Sequence, residues 1–292
     1  MRESFKARAM LISSMLIFGT IGLFRRSIPL PSSLIAQFRG LVGTLFLIAV
    51  MVIGHRKFDR KALKANLPIL LLSGALIGVN WILLFEAYNY TSVAVATLCY
   101  YMAPIFVMIA APLVLHERMT LRKAVCTGAA LVGMVLVSGV MTGGVSGLTG
   151  VLLGLGAAVC YACVMLLNKK LNGVPTFDRT VIQLAVTAVL LLPYVLTTED
   201  VASLTYTWQT VALLLFVGIV HTGFAYYLYF GGMEKLPAQT IAICSYIDPV
   251  SSILLAWLIL SERMDVFGWI GSVLILGAAV VCDLPQRSRQ PE

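Results

Sequence analysis

The chain has 292 residues, 60% of them hydrophobic and only 12% charged, with a net charge of +8 and a mean hydropathy of +0.94. A water-soluble domain of this length cannot clothe its exterior with so few polar side chains, so a soluble globular enzyme is excluded and most of the surface meets lipid. The positive charge suits a protein lying against anionic lipid heads, and no nucleic-acid partner is needed to explain it.

An apolar run of about 20 residues crosses a hydrocarbon layer. Ten such runs follow one another, at 7–24, 33–53, 67–88, 93–115, 120–140, 148–167, 180–196, 207–229, 238–260 and 265–281. Only helices and closed barrels pair every backbone group without water, and continuous runs in place of ten-residue alternation select helices. The longest polar gaps, "GHRKFDRKALKAN" and "NKKLNGVPTFD", are too short to fold alone. The expected fold is an all-α membrane protein of ten transmembrane helices. The first run follows basic residues as a secretory signal would. It is long, however, and ends in Arg25 and Arg26 with no small-x-small cleavage site, so it counts as the first span.

In chain order, the spans carry few groups able to do chemistry. Arg39 lies near the outer start of the second span, where it snorkels or meets an acid. The third span holds Asn80, Trp81, Leu84, Phe85, Glu86 and Tyr88. Asn80, Leu84 and Tyr88 share one helical face, Glu86 is near enough to the end to reach water, and Tyr88 fits an interfacial aromatic belt. Tyr100, Tyr101 and Pro104 fall in the fourth span, and Tyr246, Asp248 and Pro249 in the ninth. Each proline removes a backbone bond in mid-helix, bending it for packing or for gating. An acid inside a span is expensive, which makes Asp248 the leading ionisable candidate, either as a ligand group or as a carboxylate holding the broken helix through hydrogen bonds. His221, early in the eighth span, is a packed neutral imidazole or a proton-linked group. Tyr226 follows it, and Tyr229 suits the belt. All six cysteines fall inside or at the end of apolar spans and read as small buried hydrophobes. Cys160 and Cys163 share a face but have no second ligand pair, so neither zinc nor redox chemistry is expected.

With the N-terminus inside, 17 of the 21 Lys and Arg residues fall in inner segments, which puts both termini in the cytoplasm. Residues 78–119 also match residues 223–264 without a gap, at a shift of 145. Gly78 lies over Gly223, Cys99 over Cys244, Tyr101 over Tyr246, Pro104 over Pro249, and "ERM" over "ERM". Chance similarity between apolar segments yields shared Leu and Ala, but not an aligned proline and a three-residue polar word. The chain thus divides into repeats at 1–141 and 148–284 with a cytoplasmic tail at 285–292. Five spans per repeat is an odd number, so the halves are inverted. Inverted repeats mark secondary transporters, whose substrate site lies near the bilayer midplane between the halves. Glu117 and Glu262 each precede a good N-cap, Thr120 or Asp265. There a carboxylate would accept from the free N–H groups opening the next helix, an architectural fastening in preference to a substrate contact.

The segments "YYMAPIFVMIAAPLVLHERMTLRKAVCTGAALVGMVL" and "SYIDPVSSILLAWLILSERMDVFGWIGSVLILGAAVV" resemble the proline-then-Glu signature of EamA-type carriers in the drug/metabolite transporter superfamily, and among those the amino-acid and metabolite exporters. The resemblance covers both halves. It implies ten helices, cytoplasmic termini and a central cavity lined mainly by the first, third, fourth, sixth, eighth and ninth helices. Tyr161 and Thr20 would then complete a wall with Asn80, Trp81, Leu84, Tyr100, Tyr101, His221, Tyr226, Tyr246 and Asp248. Such a wall suits a small organic solute with apolar and polar ends. The expected cargo is an amino acid exported across the plasma membrane by alternating access. Uptake of a cationic amine such as choline or a polyamine, caged by Asp248 and aromatic rings, is one alternative; a non-transporting membrane scaffold or embedded enzyme is another. No "GxxxxGK[ST]" loop, Ser/His/Asp set or metal-ligand spacing occurs, so no enzyme activity and no cofactor are expected. Energy would come from downhill exchange or a gradient, with protons the reasonable driver given Asp248 and His221.

Overall fold

A computed structural model describes residues 2–114, 120–137, 147–233, 235–236 and 238–283. Glu117 lies outside the described residues. Among them there is no strand. The main helices are α1 (Phe5–Arg26), α2 (Ser32–Ile53), α3 (Leu67–Tyr90), α4 (Val93–Val114), α5 (Leu121–Val137), α6 (Leu148–Lys169), α7 (Thr176–Thr198), α8 (Trp208–Met233), α9 (Ala238–Ser245 and Ile247–Ile259) and α10 (Val266–Val281). Among the described residues, seven of these, all but α5, α9 and α10, are long and apolar enough to cross a membrane.

Local chemistry sets the helix starts. Pro31 and Pro175, both extended, precede α2 and α7. Ser92, Thr207 and Asp265 cap α4, α8 and α10, accepting from the amides of Val95, Thr210 and Gly268 at 3.1, 3.1 and 2.7 Å. Thr120 accepts likewise from the Lys123 amide at 3.3 Å. Both N-caps expected after the repeated Glu-Arg-Met are therefore present.

Four helices are irregular. Helix α1 breaks at Thr20, between Arg2–Gly19 and Ile21–Arg26. Helix α4 breaks at residues 101–102, and α9 at Tyr246. The α4 and α9 breaks coincide with the aligned pair Tyr101 and Tyr246. The prolines are not in the middle of bent helices as expected. Pro104 is the second residue of Ala103–Val114 and Pro249 the third of Ile247–Ile259. A missing N–H is harmless in a first turn, so each proline starts a new segment after a break. The fourth irregularity is a π-helical stretch, Val217–Phe224, inside α8. It holds His221, which is thus central in α8 and not early.

The packing repeats itself. Helix α3 lies on α6 as α1 lies on α8, and α4 crosses α6 as α9 crosses α1. Helix α7 touches α3 much as α2 touches α8, while α2 with α7, α4 with α9 and α5 with α10 pair each element with the one five later. Close approach depends on small residues: a Cβ on Gly133 of α5 would lie 2.7 Å from the Gly271 carbonyl oxygen on α10. Polar bonds join α7 to its neighbours. Thr187 donates to the Gly74 carbonyl at 2.7 Å, and Gln183 donates to Ser73 and Asn168 at 2.7 and 2.8 Å.

Candidate functional site

The breaks of α4 and α9 face a central cavity of about 380 Å³. Its floor and sides are aromatic. Tyr100 stacks on Tyr161 with centroids 5.3 Å apart and meets Tyr101 edge-on at 5.9 Å. Tyr226 meets Phe18 of α1 edge-on at 5.4 Å. Trp81 and Leu84 close the α3 side, Tyr246 the α9 break, and Pro104 the α4 segment beyond its break. Thr97 and Ser252, hydroxyls 3.2 Å apart, join α4 to α9 in the same wall.

Two charged side chains enter this space. Asp248, at the start of the second α9 segment, accepts a 2.6 Å hydrogen bond from the Tyr101 hydroxyl. Arg39 of α2 is only 6% exposed. Its guanidinium carbon sits 4.2 Å from the Trp81 ring centroid and 5.5 Å from that of Phe85, and its Nε donates to the Thr222 hydroxyl at 2.7 Å. Among the described residues no carboxylate lies within ion-pair distance of it.

Eight sequence candidates line the cavity: Trp81, Leu84, Tyr100, Tyr101, Tyr161, Tyr226, Tyr246 and Asp248. Three do not. Asn80, 1% exposed, turns to α6 and donates to the Ala157 carbonyl at 2.6 Å, which satisfies a buried amide where the helices approach closely. His221, also 1% exposed, has its Nε2 2.8 Å from the Thr20 hydroxyl and sits edge-on to Phe24 and Phe216. Its Nδ1 is buried with no hydrogen-bond partner. The π turn directs the ring at the α1 break, so His221 and Thr20 form one joint behind the wall. Pro249 is buried but also outside the lining.

Other expectations change as well. Tyr88 and Tyr229 line the cavity and do not stand in an outer belt. Glu86 is tied down: it accepts from Ser32 at 2.7 Å and Asn89 at 3.1 Å, and Ser32 in turn accepts from Arg25 at 2.8 Å. Glu262 does not serve α10. It accepts from the amides of Val93 and Ala94 at 3.1 and 3.3 Å, which open α4, and pairs with Arg26 at 2.8 Å. The cause is Ser261, whose φ of 55° turns the chain out of α9 and sends the Glu262 side chain across to the neighbouring helix start.

Arg39 is the residue sequence reasoning undervalued. A signal existed, since it is the only charge within its span and such charges are functional candidates by default. Among the described residues, no three His, Cys, Asp or Glu side chains converge to hold a metal ion.

Comparison with known proteins agrees with this architecture. The chain is 27% identical over 270 residues to an uncharacterized transporter, YxxF, of Bacillus subtilis, spanning 91% of this chain and 85% of that one. It is similar to a second, YoaV, from the same organism at 27% over 258 residues, covering 87% and 85%. An uncharacterized transporter of Archaeoglobus fulgidus is 24% identical over 274 residues, 94% of each chain. A solved crystal structure shares the fold with a TM-score of 0.67 at 20% identity, covering 94% of this chain and 96% of that one. The family model for EamA-like transporters matches twice, at residues 6–139 and 148–282, the two halves separated by the sequence repeat. With both halves matched and a multi-pass helical fold around one cavity, the chain belongs to the EamA-like transporter family.

Proposed function

We propose that this chain is a secondary-active exporter of amino acids, aromatic ones among them, working by alternating access in the plasma membrane. Its ten helices would form two inverted five-helix repeats with both termini cytoplasmic. The observation that carries the reading is the aromatic cavity of about 380 Å³ built where α4 and α9 break, a volume suited to one small amphipathic solute. The reciprocal packing of the halves supports exchange of roles between them, which alternating access requires.

In this reading Trp81, Leu84, Tyr100, Tyr101, Tyr161, Tyr226, Tyr246 and Asp248 contact the cargo. Pro104 and Pro249 keep the breaks able to hinge, and Glu262, with Glu117 in the other repeat, fastens helix ends. Asp248 is the group through which a proton gradient would act. His221 supports the wall from behind. A buried arginine in the cavity opposes the cationic-amine alternative, because a like charge would be brought into a water-poor space.

Purified protein in liposomes, loaded with labelled amino acids, should exchange them well above empty-vesicle background. A broad amino-acid panel that never crosses above that background rejects the substrate class.

A further inference from the structure

Arg39 brings to the cavity wall a charged head whose hydrogen bonding is far from complete. A guanidinium carries five N–H donors and accepts nothing. Among the described residues, the Nε donor alone has a hydrogen-bond partner, the Thr222 hydroxyl at 2.7 Å. The guanidinium carbon lies over the Trp81 and Phe85 rings, and the residue is buried and lines the cavity. Stacking on rings supplies part of the stabilisation of such a cation, but planar paired donors match a carboxylate far better. The acid across the cavity differs, because Asp248 already accepts the Tyr101 hydroxyl at 2.6 Å.

The site is also built to hold Arg39 in one pose. Thr222 belongs to the π turn of α8 and its hydroxyl reaches back to the Val217 carbonyl at 3.5 Å, five residues earlier. That commits the hydroxyl proton to its own helix and leaves a lone pair for Arg39 Nε. Irregular turns of this kind recur at functional sites. With Nε held and one face on Trp81, the terminal nitrogens point in a fixed direction, which is the preorganisation that paired recognition needs.

We infer that Arg39 is the carboxylate receptor of this cavity, so that its cargo must carry a free carboxylate beside an aromatic or apolar body, while the ammonium group contributes less. The inference rests on the transport reading above but goes beyond it, since it ranks the two poles of an amino acid. Thr222 is a positioning residue for Arg39.

The test uses the intact detergent-purified protein and three probes that share one phenylethyl skeleton: phenylalanine, phenylethylamine, which lacks the carboxylate, and 3-phenylpropanoate, which lacks the ammonium group. Binding is followed by isothermal titration and thermal shift. The amino acid and the acid should bind, and the amine should bind at least about 10-fold more weakly, the scale of one lost charge-assisted contact. Arg39→Gln should weaken the acid by about 10- to 100-fold and strengthen the amine, whose like-charged neighbour it removes, so that the order of the two probes narrows or inverts. Thr222→Val should weaken the acid several-fold without changing the order of the probes, and Thr222→Ser should restore it.

Amine binding equal to or tighter than acid binding overturns the inference, as does silence of all three probes. Should Arg39→Gln fail to fold, the wild-type ranking alone decides. Exchange in liposomes separates the two readings. If acids bind and nothing crosses, transport falls and Arg39 stands; if amino acids cross but the probes bind without preference, Arg39 falls and transport stands.

Discussion

The Tyr101 hydroxyl donates to Asp248 Oδ2 at 2.6 Å, joining the break of α4 to the start of the second α9 segment. Tyr101 aligns with Tyr246 across the repeat, yet only one of the two breaks supplies a carboxylate, because the position aligned with Asp248 is Ala103. The bond is thus an asymmetric tie inside a symmetric frame. Tyr101→Phe should remove a hydrogen bond to a charged group, worth about 1.5–3 kcal/mol, and lower the unfolding midpoint accordingly. Asp248→Asn keeps an acceptor for Tyr101, so it should fold normally while losing the effect of an imposed pH gradient on transport. Gradient-driven export by Asp248→Asn at the wild-type rate would exclude the carboxylate as coupling group.

Glu262 gives a second prediction. It serves two backbone amides of α4 and the Arg26 guanidinium at once. Glu262→Ala strips a helix start of its acceptor, and caps of this kind contribute about 0.5–2 kcal/mol. Lower thermal stability with an unchanged ratio of transport rates between cargoes is expected, and Glu262→Gln should be milder because one oxygen remains. A changed cargo ratio at wild-type stability would instead make Glu262 a substrate contact.

The sequence revealed the frame better than the directions of side chains. Periodicity cannot miss an apolar run of 20 residues, and the aligned Tyr101/Tyr246 and Pro104/Pro249 pairs fall where both helices are interrupted. Side-chain direction depends on neighbours that lie far away in sequence. Asn80 and Leu84 share a face by spacing, but the closeness of α6 draws the Asn80 amide to the Ala157 carbonyl. Arg39, near a span end, suits either snorkelling or an acid partner by its place in the sequence. It points inward because a π turn in α8 offers Thr222, and that turn has no single-residue signature in the sequence. The nearest helix start along the chain from Glu262 is that of α10, whereas the left-handed Ser261 delivers its side chain to the start of α4.

Two glycines of α5 make a controlled pair. A Cβ on Gly133 would press on the Gly271 carbonyl oxygen at 2.7 Å, whereas one on Gly128 meets nothing within 4 Å. Gly133→Leu should push α5 from α10 and cost about 1–3 kcal/mol, as overpacking does. Gly128→Ala should be neutral or stabilising by up to about 1 kcal/mol, the helix preference for alanine. Thermal unfolding in detergent reads both; equal effects would mean that the α5–α10 approach is not set by these contacts.

The joint behind the wall gives the next prediction. Thr20 is the partner of His221 Nε2, and Nδ1 has none. Thr20→Val would leave both ring nitrogens buried and unpaired, a loss of about 1–3 kcal/mol. Thr20→Ser keeps the hydroxyl and should be close to wild type. Since neither residue lines the cavity, binding of cargo to folded Thr20→Val protein should be little altered, and a large loss of affinity at normal stability would place this joint within the binding site.

Alternating access itself can be read chemically. Tyr100 and Tyr226 line the cavity from α4 and α8, one from each repeat. If the halves exchange arrangements, a cysteine at either place must meet water first from one face and then from the other. Cys99 and Cys126 are buried and poorly reactive in apolar surroundings, so they can stay. Replacing Cys160, Cys163, Cys244 and Cys282 removes the rest of the background. Tyr100→Cys and Tyr226→Cys, each introduced singly into membranes of known orientation, should then react with impermeant maleimide added from either side, and cargo should change the two rates in opposite directions. A rigid scaffold predicts labelling from one side alone, with cargo making no difference. That result for both positions would remove the basis for a carrier, because a cavity that never changes sides cannot move a solute across the membrane.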